Sequence, residues 1–83
     1  MTREEVSSTV KSYILKEFLP GEDPAELTES TPLITGGILD SIATLKLVTF
    51  LEDQYAFTVK AHEVDVENLN TISDIAALVL SRK

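Results

Sequence analysis

The sequence predicts an all-α fold, a small bundle of three main helices and one short helix with a long first loop. Three observations support this prediction. Apolar residues recur at helical spacing in three separate stretches. Capping signals precede the first and the last of these stretches. All prolines and glycines lie between residues 20 and 37, so they interrupt no other part of the chain. A chain of 83 residues suits one domain, which we expect to span residues 1–83.

The first helix is expected to begin after Thr2 and to end before Pro20. Thr2 and Glu5 have the spacing of a capping box. The apolar positions that follow at helical intervals are Val6, Val10, Tyr13, Ile14 and Phe18. Residues 20–37 are then expected to form a long ordered loop with one short turn. Leu27, Leu33 and Ile34 can anchor this loop to the core.

The second helix is expected to begin at Asp40 or Ser41 and to run to about Tyr55. Its apolar residues spread over a broad arc, so neighbours should pack on more than one side. This arc consists of Leu45, Leu47, Val48, Leu51 and Tyr55. The remaining residues form an outward stripe, which consists of Ile42, Lys46, Thr49 and Asp53. Ile42 is an apolar residue on this polar stripe, although single exposed apolar residues are common.

The last third of the chain predicts one short and one longer helix. Phe57 and Val59 alternate inward in a short connection, and residues 62–68 can form a short helix that carries Val64. Thr71 then precedes Asp74 at capping spacing. The apolar face of the last helix should consist of Ile72, Ile75, Ala76 and Val79.

Composition excludes several classes of function. The net charge of −7 repels phosphate backbones, so we expect no nucleic-acid partner. The acidic surface suits basic protein patches, or serves solubility alone. The absence of cysteine excludes disulfides and thiol nucleophiles. No apolar stretch has the length that spans a bilayer, and Met1 does not lead into an apolar run. We therefore expect a monomeric cytoplasmic protein without membrane insertion.

Constellations typical of enzymes and metal sites are missing from the sequence. The single histidine, His62, lies among acidic residues and is interpreted as an exposed surface residue. Glu63, Asp65 and Glu67 alternate, but they lack the glycine and the closing glutamate of a calcium loop. The two adjacent glycines are not followed by a lysine at P-loop spacing. We therefore expect no catalytic residue and no metal site.

Ser41 is the remaining candidate for chemistry. The segment GGILDSI at 36–42 places its hydroxyl at the opening of the central helix. The first N–H groups of a helix lack internal partners, and the helix dipole makes that end positive. A phosphate ester on Ser41 would therefore lie where an anion is stabilised. The simpler interpretation is that Asp40 and Ser41 only cap the helix, as these residue types often do.

Five short segments together resemble one protein family. They are TPLI at 31–34, GILDSI at 37–42, LVTFLE at 47–52, YAFTV at 55–59 and ENLNTI at 67–72. In order and spacing they resemble the phosphopantetheine-dependent acyl and aminoacyl carrier proteins, and the first helix matches in pattern. The resemblance covers nearly the whole chain, although no single segment is specific.

The resemblance implies an acyl-carrier-like bundle in which Ser41 carries a covalent 4′-phosphopantetheine arm derived from coenzyme A. It implies that Asp40 helps to present Ser41 to a phosphopantetheinyl transferase. It also implies that the start of the second helix is the main docking surface, which the exposed Ile42 fits. The chain itself would then not be an enzyme. The other partners would be a loading ligase and condensing or acyltransferase enzymes, which exchange thioester-bound intermediates with the arm.

Two departures from the pattern of fatty-acid carriers favour a specialised pathway over bulk fatty-acid synthesis. Lys46 occupies the outward stripe of a helix that is usually acidic, and Ile42 replaces the commoner leucine. We expect a free-standing carrier. A small acidic helical adaptor without a prosthetic group stays the alternative, since it needs the same core but not Ser41. A hydrolase that uses Ser41 is disfavoured because no base is placed to activate it.

Overall fold

The computed structural model describes residues 2–82 and contains four α-helices in that range. They are α1 (Arg3–Phe18), α2 (Ser41–Tyr55), α3 (Val66–Leu69) and α4 (Ile72–Ser81). Two short 3₁₀ turns lie at Pro24–Glu26 and Ala61–Glu63, and no strand forms within the described range. The predicted all-α class, with three main helices and one short helix, is confirmed. The long first loop is also present and contains one short turn, as predicted.

The helix ends follow the local signals in the sequence. Thr2 caps α1 by accepting the Glu5 N–H at 3.2 Å, and α1 ends before Pro20. Thr71 caps α4 by accepting the Asp74 N–H at 3.0 Å. Each of these side chains satisfies one N–H group that has no partner inside the helix.

The short helix predicted over 62–68 is corrected by the structure. The segment divides into the turn Ala61–Glu63 and the helix α3, and Val64 lies half-buried between them. The cause is Asp65, whose extended backbone ends the turn while its side chain accepts the Asn68 N–H at 2.9 Å. Asp65 thereby starts a new helix at Val66 rather than continuing an existing one.

The hydrophobic core lies between the helices and under the first loop. α1 and α3 both pack against α4. The core side chains of α1 are Val6, Val10 and Ile14, and those of α4 include all four predicted residues, Ile72, Ile75, Ala76 and Val79. Leu27 and Leu33 anchor the loop in this core and are buried, while Ile34 is half-buried beside it.

The prediction for Leu45 in the buried arc of α2 is wrong. The other four predicted arc residues are buried, but the side chain of Leu45 is 60% exposed. At about 100° per residue, Leu45 lies about 60° from Val48 in the buried arc and about 60° from Ile42 on the outward stripe. The helical angle alone therefore does not assign Leu45 to either side. In the folded chain it lies with Ile42.

Candidate functional site

Ser41 is the first residue of α2, and Asp40 is the residue that caps the helix. One carboxylate oxygen of Asp40 accepts the Ala43 N–H at 2.7 Å. The backbone carbonyl of Asp40 accepts the Thr44 N–H at 2.9 Å and the Thr44 hydroxyl at 2.7 Å. The amide N–H groups of Ser41 and Ile42 have no partner in the helix, because they lie in its first turn.

The Ser41 side chain is exposed. Among the hydrogen bonds formed within residues 2–82, none uses its hydroxyl oxygen. This oxygen is therefore accessible from solvent without any opening of the bundle. The residues also fit an esterified phosphate, since the free amide groups and the positive end of the helix dipole both favour an anion there. The surroundings of Ser41 are thus compatible with a phosphopantetheine arm.

The segment before Ser41, residues 31–40, is here called the serine loop. Gly37 adopts a positive φ of 82°, which favours glycine, and its N–H donates to the Ile34 carbonyl at 3.1 Å. A Cβ at Gly36 would lie 2.2 Å from the carbonyl oxygen of Pro32. The loop then returns to the core at Leu39, which is buried and directly precedes Asp40. The loop therefore makes a tight turn that ends at the opening of α2.

Exposed apolar side chains flank Ser41 on two helices. Ile42 is 67% exposed, Leu45 60% and Val66, the first residue of α3, 44%. Ser41 opens into a groove of about 480 Å³, and Leu45 and Val66 both line it. Large apolar side chains that stay in water around one polar group indicate a contact surface for another molecule.

The structure brings the four residues of the outward stripe together along one groove. Ile42, Lys46, Thr49 and Asp53 are exposed and line a groove of about 440 Å³ on the α1 side of α2. Two aromatic residues that the sequence does not assign to this groove, Tyr13 and Phe50, also line it. Their rings stack with centroids 4.0 Å apart, and the Tyr13 hydroxyl donates to the Lys46 carbonyl at 3.2 Å. The helical spacing of Tyr13 groups it with the core residues of α1, so the sequence pattern does not indicate that it lines the groove.

Leu45 and Val66 are surface residues that the sequence pattern does not identify as exposed. The signal for Leu45 is its angle, which lies as close to Ile42 as to the buried arc. The signal for Val66 is its place directly after the capping residue Asp65, where the side chain of the first turn is free to face solvent. Both signals allow a surface position but do not require it.

The ionisable side chains that line the groove at Ser41 are the carboxylates of Asp40 and Asp65. Within residues 2–82, neither a histidine nor a lysine lines this groove. His62 lies exposed in the turn Ala61–Glu63. In the same range, no three metal-ligating side chains lie close enough to hold a metal ion. None of the described helices has both the length and the apolar surface that crossing a membrane requires.

The fold and the site together define a small helical carrier protein. An exposed serine begins the central helix, a capping aspartate precedes it, and apolar side chains surround it on two helices. Comparisons with known proteins agree with this class. The chain has the fold of the solved apo form of KstB-PCP, with a TM-score of 0.73 and 22% sequence identity. The match covers 98% of this chain and 89% of that chain.

Two curated relatives identify the family. The chain is 32% identical over 74 residues to a probable acyl carrier protein, PigG, of a Serratia species, and this match covers 89% of this chain and 84% of the relative. It is also 32% identical over 76 residues to the D-alanyl carrier protein of Streptococcus suis, and this match covers 92% of each chain. No protein-family model matches the chain. The chain belongs to the family of acyl and aminoacyl carrier proteins.

Proposed function

We propose that Ser41 is the attachment site of a 4′-phosphopantetheine arm, and that the chain carries acyl or aminoacyl groups on this arm. The observation that carries the proposal is the exposed Ser41 hydroxyl at the first position of α2. Family membership supports the same assignment, since the relatives are carriers of acyl and D-alanyl groups by name. The arm supplies a terminal thiol that holds such groups as thioesters, which a chain without cysteine cannot do itself.

The residues around Ser41 have distinct parts in the attachment. Ser41 would hold the arm through its hydroxyl oxygen, which would replace adenosine 3′,5′-bisphosphate on coenzyme A and lose its proton to the transferase. The free N–H groups of Ser41 and Ile42 and the positive end of the helix dipole would favour the charge of the resulting phosphodiester. Asp40 holds the first turn of α2 through its bond to Ala43. Its second carboxylate oxygen is left for a cationic group of the transferase.

The docking face consists of the outward stripe (Ile42, Lys46, Thr49, Asp53) together with Leu45 and Val66. Its exposed apolar side chains can enter apolar depressions on a partner, which is where binding energy concentrates. The net charge of −7 favours partners with basic surroundings, because opposite charge speeds encounter. Such partners are the phosphopantetheinyl transferase, a loading ligase, and condensing or acyltransferase enzymes.

The chain performs no catalysis in this proposal, since the reactions take place in the active sites of its partners. Lys46 on the docking face favours a specialised pathway over bulk fatty-acid synthesis, because it replaces acidic character with a positive charge. A monomeric state and a location in the cytoplasm stay predictions from the sequence.

The proposal is tested by incubating the unmodified protein with coenzyme A and a broad-specificity phosphopantetheinyl transferase, followed by intact-mass measurement. The wild type should gain the mass of one phosphopantetheine group, and Ser41→Ala should gain none. Ser12→Ala is the matched control, since Ser12 is exposed on α1 and should leave the labelling unchanged. A wild type of unchanged mass would reject the carrier assignment for Ser41 and favour the adaptor alternative.

A further inference from the structure

Asn70 connects the α3–α4 junction to the serine loop. It follows α3 as its capping residue, and its own N–H donates to the Val66 carbonyl at 3.2 Å. Its side-chain oxygen accepts the Ile34 N–H at 2.9 Å and the Thr35 N–H at 3.0 Å. Its backbone carbonyl accepts the Leu33 N–H at 2.6 Å. Three successive amides of the serine loop therefore bond to one residue 35 to 37 positions further along the chain.

A second set of contacts extends this connection to Ser41. The carbonyl of Leu33, whose N–H is bonded to Asn70, accepts the Leu39 N–H at 2.9 Å. Leu33 and Leu39 are both buried in the core. Leu39 directly precedes Asp40, which caps α2 and presents Ser41. The backbone carbonyl of Asn70 is thus connected to Ser41 through Leu33 and Leu39, while its side chain holds the two adjacent amides, Ile34 and Thr35.

The bonds of Asn70 have no substitute nearby. Within residues 2–82, no other side chain accepts a hydrogen bond from the backbone of residues 33–39. Irregular loops satisfy their backbone groups through such side chains, because they lack the regular bonds of a helix. Removal of the Asn70 side chain would leave the Ile34 and Thr35 amides to water and loosen the start of the turn that ends at Gly37, whose own bond to the Ile34 carbonyl would remain.

We propose that Asn70 is a positioning residue for the modification of Ser41, an inference that rests on the function proposed above. Its side chain bonds to Ile34 and Thr35 of the serine loop and, within the described residues, to neither Ser41 nor a side chain of the docking face. It fixes the serine loop so that the Ser41 oxygen is held in one place relative to the helix that docks. An attacking oxygen displaced by about 1 Å can lower a reaction rate about a hundredfold. Loss of Asn70 should therefore slow the attack while leaving the docking side chains of α2 where they are.

The test measures steady-state modification of the wild type, Asn70→Ala, Asn70→Asp and Asn68→Ala by the transferase. We expect Asn70→Ala to lower kcat about tenfold while KM for the carrier changes little. Asn70→Asp should restore most of kcat, because it keeps an oxygen acceptor for the two amides. Asn68→Ala is the matched control, since the Asn68 side chain bonds to Asp65 and not to the serine loop. Amide hydrogen exchange should show faster exchange at Ile34 and Thr35 in Asn70→Ala alone.

A wild-type kcat in Asn70→Ala would overturn the inference and leave the proposed function intact. An equal loss in Asn70→Ala and Asn70→Asp would also overturn it, since an acceptor would then not be the cause. If Asn70→Ala does not fold, Asn70→Ser takes its place. The serine side chain is one atom shorter than that of asparagine, so its hydroxyl does not reach the Ile34 and Thr35 amides. The same kcat criterion then applies to Asn70→Ser. A wild type that is not modified at all would overturn the inference together with the proposed function, whereas the hydrogen exchange would still report the loop contacts.

Discussion

The guanidinium group of Arg82, after α4, forms an ion pair with the carboxylate of Glu63 in the turn between α2 and α3. Only 12% of the Glu63 side chain is exposed. The same carboxylate accepts the Lys60 N–H at 2.9 Å, and Arg82 also donates to the Thr58 carbonyl at 3.2 Å. Arg82 thereby holds the connection between α2 and α3 against the end of α4.

Arg82→Ala should lower the free energy of unfolding by about 2 kcal/mol, because it leaves the Glu63 carboxylate shielded from water without its partner. Arg3→Ala is the control. The Arg3 Nε lies 3.8 Å from the Glu29 Oε1, and both side chains are more than half exposed. Loss of this ion pair should therefore lower the free energy of unfolding by less than about 1 kcal/mol. Urea denaturation of both variants measures the difference. Equal losses would show that burial of Glu63 does not strengthen the pair.

The contrast between local and distant contacts explains what the sequence could predict. The caps at Thr2 and Thr71 and the buried face of α4 depend on residues a few positions apart, so the sequence contains their signals. The pairing of Glu63 with Arg82 joins residues from different elements, and no periodicity points to it. The bonds of Asn70 to the serine loop are of the same kind.

The candidate site follows the same rule. The position of Ser41 at the start of α2 could be predicted because a capping aspartate, a helix start and a family-like segment coincide there. The exposure of the outward stripe could also be predicted, since one helix repeats at a fixed angle. The position of Val66 beside Ser41 could not be predicted, because it results from packing of α3 near α2. Leu45 lies at the boundary angle, where only the packed neighbours decide its exposure.

Asp40 should contribute to stability and to modification in separable ways. Asp40→Ala should lower the free energy of unfolding by about 1 kcal/mol, because the Ala43 N–H loses its acceptor. Asp40→Asn keeps an acceptor, so it should change that free energy by only about 0.3 kcal/mol. It should still lower kcat/KM with the transferase about tenfold, since the charged oxygen available to the partner is lost.

The control for Asp40 is Asp23→Asn, which makes the same change at the exposed residue that caps the turn Pro24–Glu26. Urea denaturation and steady-state modification are measured on all three variants. Modification of Asp40→Asn at the wild-type rate would show that Asp40 acts as a helix cap alone.

Leu45→Glu should weaken docking without weakening the fold. The side chain is already in water, so the free energy of unfolding should change by no more than about 0.5 kcal/mol. KM for the carrier should rise about tenfold or more, because a charge would replace an apolar contact in the interface. Ala77→Glu, which adds the same charge at an exposed position of α4, is the control for added charge. The same KM in both variants would exclude Leu45 from the docking face.

Tyr13 should make the stability of the protein sensitive to alkaline pH. Burial, and after it the nearby Glu17 carboxylate, raise the pKa of the Tyr13 hydroxyl above its ordinary value. The folded state therefore holds this proton more tightly than the unfolded state. The resulting stabilisation is complete below the unfolded pKa and is lost as the pH rises through the folded pKa.

Tyr13→Phe tests this pH dependence, since it keeps the ring on Phe50 and removes the titrating hydroxyl. Urea denaturation at neutral and at strongly alkaline pH should show a larger alkaline loss of stability in the wild type than in the variant. The difference between the ultraviolet titrations of the wild type and the variant should isolate the Tyr13 hydroxyl, and its midpoint should lie above the ordinary tyrosine pKa. An equal alkaline loss in both proteins would contradict the expected sign.

Gly36 and Gly37 should resist substitution by alanine for different reasons. A Cβ at Gly36 would meet the Pro32 carbonyl oxygen at 2.2 Å, so the serine loop must move to admit it. A Cβ at Gly37 would find open space, but the positive φ of 82° makes alanine there less stable by about 1–2 kcal/mol.

Gly36→Ala should therefore slow modification of Ser41 as well as lower the free energy of unfolding, whereas Gly37→Ala should mainly lower that free energy. Gly21→Ala, with a φ of 86° and open space far from Ser41 in sequence, is the control for backbone strain alone. Equal rates of modification in the Gly36 and Gly37 variants would show that the contact of the new Cβ at Gly36 with Pro32 does not shift the position of Ser41.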